Sequence, residues 1–539
     1  MFQLAQNALT SIPRRLYDLT KSPGRVVFVF LAGMAVFYCF SYYFSPFRPD
    51  TKYPLGWYGW ADQGEYFKQI VAFAKVNLSA DQHHYPPLYA MVATPFYFIA
   101  PKNPQFFPDL IFFLFYLYVL IKISARIYGV LLAPAVVAVV MFVAPLLTIT
   151  QWVVPWTTSL QSALLSVLFL IVFAFERRPR PFVLVGRQDR LAYCAFFLAY
   201  GALLPTRPLD FVVAFPLALF FFLKTMWATV TAASPERRTR WIAALVISAT
   251  LAGLPFVALF FGFNLVVFKN LFGPYANAVA EFRYDPSTLP EKAYSIFLDS
   301  GTIYGEAGQA FFEQIPLLGV AFAICAVTAV VRMDIRRWIV VIAFFNILLY
   351  LPYGDLLPTG VFRYFNLHYF KWMYPWLFVI AVGQAIAWAR GLWKAEGWRP
   401  LVAAVLLALI VGSVSVVPTQ VTAIPGLRTP EKNTLSLAAS EPLDADFIDI
   451  TGLSGGFTDF YFGNHLAILD AAQPIRRREF RLLPIPNGAR MLFSRPAHFS
   501  NLVLTPDPGA KVMAGGTSSV GRFRFTFACR LHNCSDTQR

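Results

Sequence analysis

Apolar residues along this chain gather into long unbroken runs, with little of the alternation that marks half-buried helices or strands. Runs of roughly 20 apolar residues match a bilayer core crossed at about 1.5 Å per residue. Candidate spans lie at 26–44, 108–125, 128–147, 156–175, 191–206, 209–224, 241–268, 313–331, 338–352, 372–388 and 400–417. The pattern predicts a polytopic α-helical membrane protein of about eleven spans. The stretch 85–101, YPPLYAMVATPFYFIAP, is apolar but short and broken by four prolines. It predicts an interfacial or half-inserted segment, because irregular backbone at membrane depth needs protein or a cavity around it.

Two stretches follow other periods. In WADQGEYFKQIVAFAKV (60–76), Tyr66, Phe67, Ile70, Phe73 and Ala74 fall at helical spacing, and Asp62, Glu65, Lys68, Gln69 and Lys75 are their polar partners. That is an amphipathic helix suited to the membrane plane. From Pro418 onward no spanning run remains. The turn signals SGG, PNG, PDPG and AGG separate FIDI, FTDFYF, ARMLF, NLVL and GRFRFTFAC, which read as short strands. The chain thus divides into a membrane module, 1–417, and a small β-rich domain, 418–539, with 418–434 as linker.

Composition supports the membrane reading. Of 539 residues, 57% are hydrophobic, 14% charged and 17% aromatic, and mean hydropathy is +0.55. A soluble domain is roughly a quarter charged, so a nuclear, cytosolic or disordered protein is excluded. The net charge of +16 reports topology, because its basic residues sit in short loops between apolar runs. Alternate threading puts the N-terminal Arg14, Arg15, Lys21 and Arg25, then ERRPR, PERRTR, RMDIRR and the Arg390–Arg399 loop, on one side. By the positive-inside rule that side is the cytoplasm. The basic N-terminus before the first run lacks a small-residue cleavage site and reads as an anchor. Segments 45–107, 269–312 and 353–371, the corner PTRPLD (205–210) and the β-rich domain then lie outside. In an outside tail Cys529 and Cys534 are placed for a disulfide, with free thiols an equal alternative.

No Walker loop, dinucleotide glycine fingerprint, H-E-x-x-H or C-x-x-C is present. Any chemistry must come from polar residues on the outer face. Asp62 and Glu65 open the amphipathic helix, where they also fit a capping box. In DQHHYPPLY (81–89), His83 and His84 are potential metal ligands or parts of a polar turn, and Tyr85 and Tyr89 are interface anchors. Arg207 interrupts two apolar runs, and a guanidinium there suits phosphate oxygens or else pairs with Asp210 or lipid headgroups. Before a late span, Arg363, His368 and Lys371 stand among Tyr364, Tyr369 and Trp372. They read as a phosphate clamp or as snorkelling cations in an aromatic belt. In 269–312, Glu281, Arg283, Asp285, Asp299 and Glu306 are available for substrate.

Taken in order, Asp62-Gln63-Gly64-Glu65-Tyr66, Pro86-Pro87-Leu88-Tyr89, Arg207-Pro208, and Arg363-Tyr364 followed by Pro375 resemble the motifs of the GT-C superfamily of membrane glycosyltransferases. That superfamily includes the protein O-mannosyltransferases and the lipid A aminoarabinose transferases. The resemblance covers 1–417 and implies a GT-C-like fold. It implies transfer of a sugar, with inversion, from a polyprenyl-phosphate donor to a lipid, glycan or protein acceptor on the extracytoplasmic face. Asp62 would be the catalytic base. Glu65, His84, Tyr85, Arg207, Arg363, His368 and Lys371 would bind substrate, the cations stabilising the departing phosphate. Gln63 stands where many relatives carry a second acid; no cofactor is certain, and a divalent metal stays open. The setting implied is a bacterial inner membrane. A lipid-linked sugar flippase is the rival class. Transporters, however, favour charges near the midplane and internal repeats, whereas here the charges share one face and no repeat is visible. A scaffold whose outer β domain binds glycan is a third reading.

Overall fold

The computed structural model describes residues 23–44, 61–130, 132–143, 149–176, 187–275, 289–299, 310–353 and 366–392, the single positions 284, 286 and 356, and the backbone of seven strands between 435 and 529. In chain order the first helices are α1 Pro23–Phe44, α2 Ala61–Ala74, α3 Leu88–Tyr97, α4 Phe106–Tyr128, α5 Leu132–Val143, α6 Ile149–Val153, α7 Thr157–Glu176, α8 Arg187–Leu203, α9 Pro208–Ala232 and α10 Pro235–Phe268. Then come α11 Leu289–Ala293, α12 Phe311–Gln314, α13 Pro316–Val331, α14 Ile335–Tyr350 and α15 Met373–Leu392. Among the described residues, α1, α4, α7, α9 and α10 are long and apolar enough to cross a membrane. The protein is an integral membrane protein built mostly of helices. The segment 400–417 lies outside the described residues, as do the 418–434 linker and Cys534.

The chain forms two units. The first comprises 1–275, 317–349 and 367–417. Its centre is α7, buried from Thr157 to Phe175 along most of its length. At about 1.5 Å per residue this helix runs roughly 30 Å, one bilayer core. Aromatic hydroxyls tie the neighbouring helices together by finding backbone acceptors. Tyr116 on α4 donates to Trp372 O at 2.6 Å, and Tyr128 donates to Val379 O on α15 at 2.6 Å. Where α8 crosses α10 the contact is between glycines. A Cβ on Gly201 would lie 2.9 Å from Gly253 Cα. Close backbone approach through small residues is how membrane helices gain dispersion contacts without a hydrophobic drive.

One helical expectation changes. The run 128–147 yields a helix of only Leu132–Val143, with α6 as a separate short turn. The stretch 85–101 holds the ten-residue α3 with Pro95 inside it. At about 15 Å it reaches half of a bilayer core. It packs on the amphipathic α2 through Ile70, Ala90 and Ala93, with Phe73 and Tyr97 at the edge.

The second unit comprises 276–316, 350–366 and 418–539. Here α11 runs into a π turn at Tyr294–Leu298, Phe297 stacks on Phe311, and Lys292 Nζ donates to the Tyr353 carbonyl. Seven strands form one sheet: β1 Leu435–Thr451, β2 His465–Leu469, β3 Phe480–Ile485, β4 Gly488–Thr505, β5 Thr517–Val520, β6 Phe523–Thr526 and β7 Ala528–Cys529. The sheet order is β2-β4-β1-β5-β6, with β3 on β4 and β7 on β1, and every pairing is antiparallel. ARMLF and NLVL, expected as two strands, belong to the single strand β4. It pairs with β1 from Leu435↔Leu504 to Thr451↔Gly488 across two register shifts. A bulge absorbs an irregular residue without ending a strand.

Candidate active site

The site is built where α2, the 84–89 stretch, the start of α7, the α8–α9 corner and the 366–371 turn meet at one end of the first unit. The other end of α7 carries a different polar cluster. There Glu176 accepts from Arg126 and from Ile335 N, and Arg332 donates to Gln384.

Asp62 lies in the first turn of α2, partly open to solvent. Its Oδ1 accepts from the Tyr85 hydroxyl at 2.6 Å. Burial raises the Asp62 carboxyl above the ordinary range, and neighbouring Glu65 adds slightly to the rise. The Tyr85 hydrogen bond, then the neighbouring His84 and Arg207, pull the other way. Tyr85 is itself fixed. Gln69 Nε2 donates to its carbonyl at 2.9 Å, Pro86 and Pro87 follow it, and its ring lies 4.6 Å from Tyr66 and 5.4 Å from Tyr275. Gln63, at the position where the resemblance would place a second acid, is buried and donates to Pro155 O at 2.9 Å. It ties α2 to the residue before α7's first turn. Glu65 faces away, 3.6 Å from Lys68, in an exposed pair of little energetic weight.

Arg207 sits at the N-cap of α9 and is only 7% exposed. Its Nε lies 2.9 Å from Asp210 Oδ2, its Nη1 donates to Thr157 Oγ1 at 3.3 Å, and its guanidinium lies 4.9 Å above the Tyr369 ring. So the local pairing with Asp210 exists, and the side chain is also braced on two other elements. The Leu88 amide donates to Pro205 O at 3.0 Å, joining the Pro-Pro-Leu-Tyr motif to the Arg-Pro corner. His368 is buried and stacks on Trp156, with ring centroids 3.8 Å apart and planes 12° from parallel. Lys371, expected beside the donor, is fully buried. Its Nζ donates to Ser159 Oγ at 2.8 Å and Gln151 O at 3.2 Å and lies 4.7 Å from the Trp152 ring. Burial pulls its ammonium down to about 7; the negative charge of Asp109 opposes the fall, and Arg207 adds to it. Arg363, Glu281, Arg283, Asp285 and Glu306 lie outside the described residues.

His83 and His84 part company. His83 Nε2 lies 2.8 Å from Asn77 O, and its ring packs against Phe73 and Phe263. His84 stays partly open next to Tyr85. Among the described residues no three His, Cys, Asp or Glu side chains converge on a point that could hold a metal ion.

Sequence reasoning passed over the hub of the site. The first turn of α7, Thr157-Thr158-Ser159 with Gln161 and Ser162, is entirely buried and receives both Arg207 and Lys371. Asp109, buried on α4 and bonded by Tyr89 at 2.9 Å, was also missed. The available signal was a cluster of hydroxyl and amide residues at the head of an otherwise apolar run, and an acid inside another. What results is a partly open carboxylate in a tyrosine-lined recess, backed by buried cations. That end of the membrane-embedded helical bundle is the candidate active site.

Two solved structures are similar to this chain. The crystal structure of ArnT from Cupriavidus metallidurans bound to undecaprenyl phosphate has a TM-score of 0.41 and 15% identity, covering 72% of this chain and 74% of that one. The apo state of ArnT from the same organism has a TM-score of 0.38 and 16% identity, covering 64% and 59%. No family model and no curated protein matches the chain.

Proposed function

We propose that the protein is a membrane glycosyltransferase that moves a sugar from a polyprenyl-phosphate donor to a hydroxyl-bearing lipid, glycan or protein acceptor. The observation that carries this reading is Asp62, partly open and oriented by the Tyr85 hydroxyl, at the same end of the first unit as the buried Arg207. Asp62 takes the proton of the acceptor hydroxyl as its oxygen attacks the anomeric carbon. The bond from that carbon to the phosphate oxygen breaks, and polyprenyl phosphate leaves with the electron pair. Attack opposite the leaving group inverts the anomeric centre. Because the leaving group is an anion, it needs positive potential and no proton. Arg207 and Arg363 supply that potential at the phosphate with His368 behind them, and the enclosed Lys371 acts on the turn that holds Arg207. His84 and Tyr85 line the acceptor side; Glu65, turned to Lys68, does not. In this reading the site faces the extracytoplasmic side together with the 418–539 domain, the N-terminus is cytoplasmic, and about eleven spans complete the bundle.

The test is Asp62→Asn in purified protein, assayed for sugar transfer from a short-chain polyprenyl-phosphate sugar, with thermal unfolding as the folding control. Asn preserves size and helix-start preference, so a structural role loses little. Loss of the base costs about 10²-fold or more in turnover. A folded Asp62→Asn protein with near-wild-type turnover refutes the assignment. Lipid-linked substrate crossing a bilayer without glycosidic product selects the flippase instead.

A further inference from the structure

Two fully buried groups of opposite type lie behind the site and take no part in the chemistry proposed above. Asp109, on α4, is 1% exposed; its Oδ2 accepts from Tyr89 at 2.9 Å, and its Oδ1 has no partner. Lys371 is 0% exposed, on a turn more than 250 residues later in the chain. Ser159 stands between them. Its hydroxyl accepts from Lys371 Nζ at 2.8 Å and neighbours Asp109. A hydroxyl that has accepted still holds a proton to give, and Asp109 is the acceptor at hand. The order Tyr89–Asp109–Ser159–Lys371 thus runs from the Pro-Pro-Leu-Tyr motif, through α4 and the first turn of α7, to the turn that carries His368.

We infer that Asp109 and Lys371 form a buried charge-balanced pair, and that both are positioning residues that set where α7's first turn holds Arg207. The inference rests on the glycosyltransferase reading for the role of Arg207 but not for the pairing itself. An isolated ionised side chain inside a membrane protein is costly, and such groups are retained where they are matched. An Asp with a Lys is neutral in sum whichever partner holds the proton. The consequence for the site follows from connectivity. Ser159 is two residues from Thr157, whose hydroxyl receives Arg207 Nη1. Lys371 also pins Gln151 O, on α6 just ahead of that turn, and Trp156, between them, carries His368. Losing the balance disturbs both arms of the cation cluster at once.

The test is a double-mutant cycle of Asp109→Asn, Lys371→Gln and the combination, in purified full-length protein. Unfolding midpoint and turnover per folded molecule are both read. Either single change leaves the other group buried without its match, so the midpoint falls and turnover drops by about tenfold or more. The combination restores balance while Gln keeps a donor toward Gln151 O and Ser159, so it returns to within about threefold of wild type, the non-additivity expected of a coupled pair. Additive losses in the combination overturn the pairing. A single Asp109→Asn that lowers the midpoint but leaves turnover per folded molecule unchanged overturns the positioning role. Should the wild-type protein transfer no sugar at all, the midpoints alone still decide the pairing, and the failure belongs to the glycosyltransferase reading.

Discussion

Removing one oxygen, in Tyr85→Phe, isolates the step by which the base is held ready. The Tyr85 hydroxyl donates to Asp62 Oδ1 at 2.6 Å, the short distance of a hydrogen bond to a charged acceptor. Phe keeps the ring contacts with Tyr66 and Tyr275 and loses only this bond. A hydrogen bond to a charged group contributes about 1.5–3 kcal/mol, which is about 10- to 150-fold if all of it is used in orienting the carboxylate. The bond also has a sign in pH. It stabilises the ionised carboxylate, so it lowers the Asp62 pKa against the upward push of burial. Without it Asp62 protonates at a higher pH. Activity requires the carboxylate, so the acidic limb of the pH profile of kcat/KM moves toward neutrality, while the basic limb stays put. The assay is sugar transfer by wild type and variant across the pH range in detergent, with unfolding checked at each pH. An acidic limb that does not move refutes the idea that Tyr85 holds the base. A variant whose loss is uniform in pH shows that Tyr85 serves only to seat substrate.

Arg207→Lys tests the planar fork: a point charge cannot serve Asp210, Thr157 and a donor phosphate together, so donor affinity falls by about 1–3 kcal/mol. Near-wild-type donor binding would remove Arg207 from the phosphate. Gly201→Ala puts a Cβ 2.9 Å from Gly253 Cα, backbone that cannot swing aside, and destabilises by about 1–3 kcal/mol, read as a lower unfolding midpoint. Reporter fusions after Arg190, Arg240 and Gly391 are expected in the cytoplasm and one after Thr429 outside; a cytoplasmic signal at Thr429 breaks the threading.

The helical scaffold was legible because its signal is a property of whole segments: the apolar runs at 26–44, 108–125, 156–175 and 241–268 became α1, α4, α7 and α10. Asp62 was legible as the head of an amphipathic helix and Arg207 as a charge breaking two apolar runs, whereas Tyr85, read as an interface anchor, turns its hydroxyl to Asp62. Their partners were not. Whether Arg207 faces Asp210 or lipid depends on which way one side chain turns, and its second anchor, Thr157, lies fifty residues away. Lys371 looked like a surface cation because lysine usually snorkels. Only the fold shows Trp152, Gln151 and Ser159 enclosing it. Ser and Thr in a span are quiet in sequence because they can return their protons to the preceding turn, as Ser162 and Ser166 do. The buried first turn of α7 was hidden for that reason.

The single backbone bond from Leu88 N to Pro205 O has a mechanical consequence. Pro86 and Pro87 carry no amide hydrogen, so Leu88 offers the first donor after Tyr85, and it is spent on the loop two residues before Arg207. No substitution at Leu88 other than proline removes the donor of that bond. When a thicker or thinner bilayer tilts the surrounding helices, the residue that steadies the base and the corner that carries the guanidinium move as one piece. Under the proposed function that bond would keep the interval between Asp62 and Arg207, while α1 and α10, the least buried of the long helices, meet the lipid.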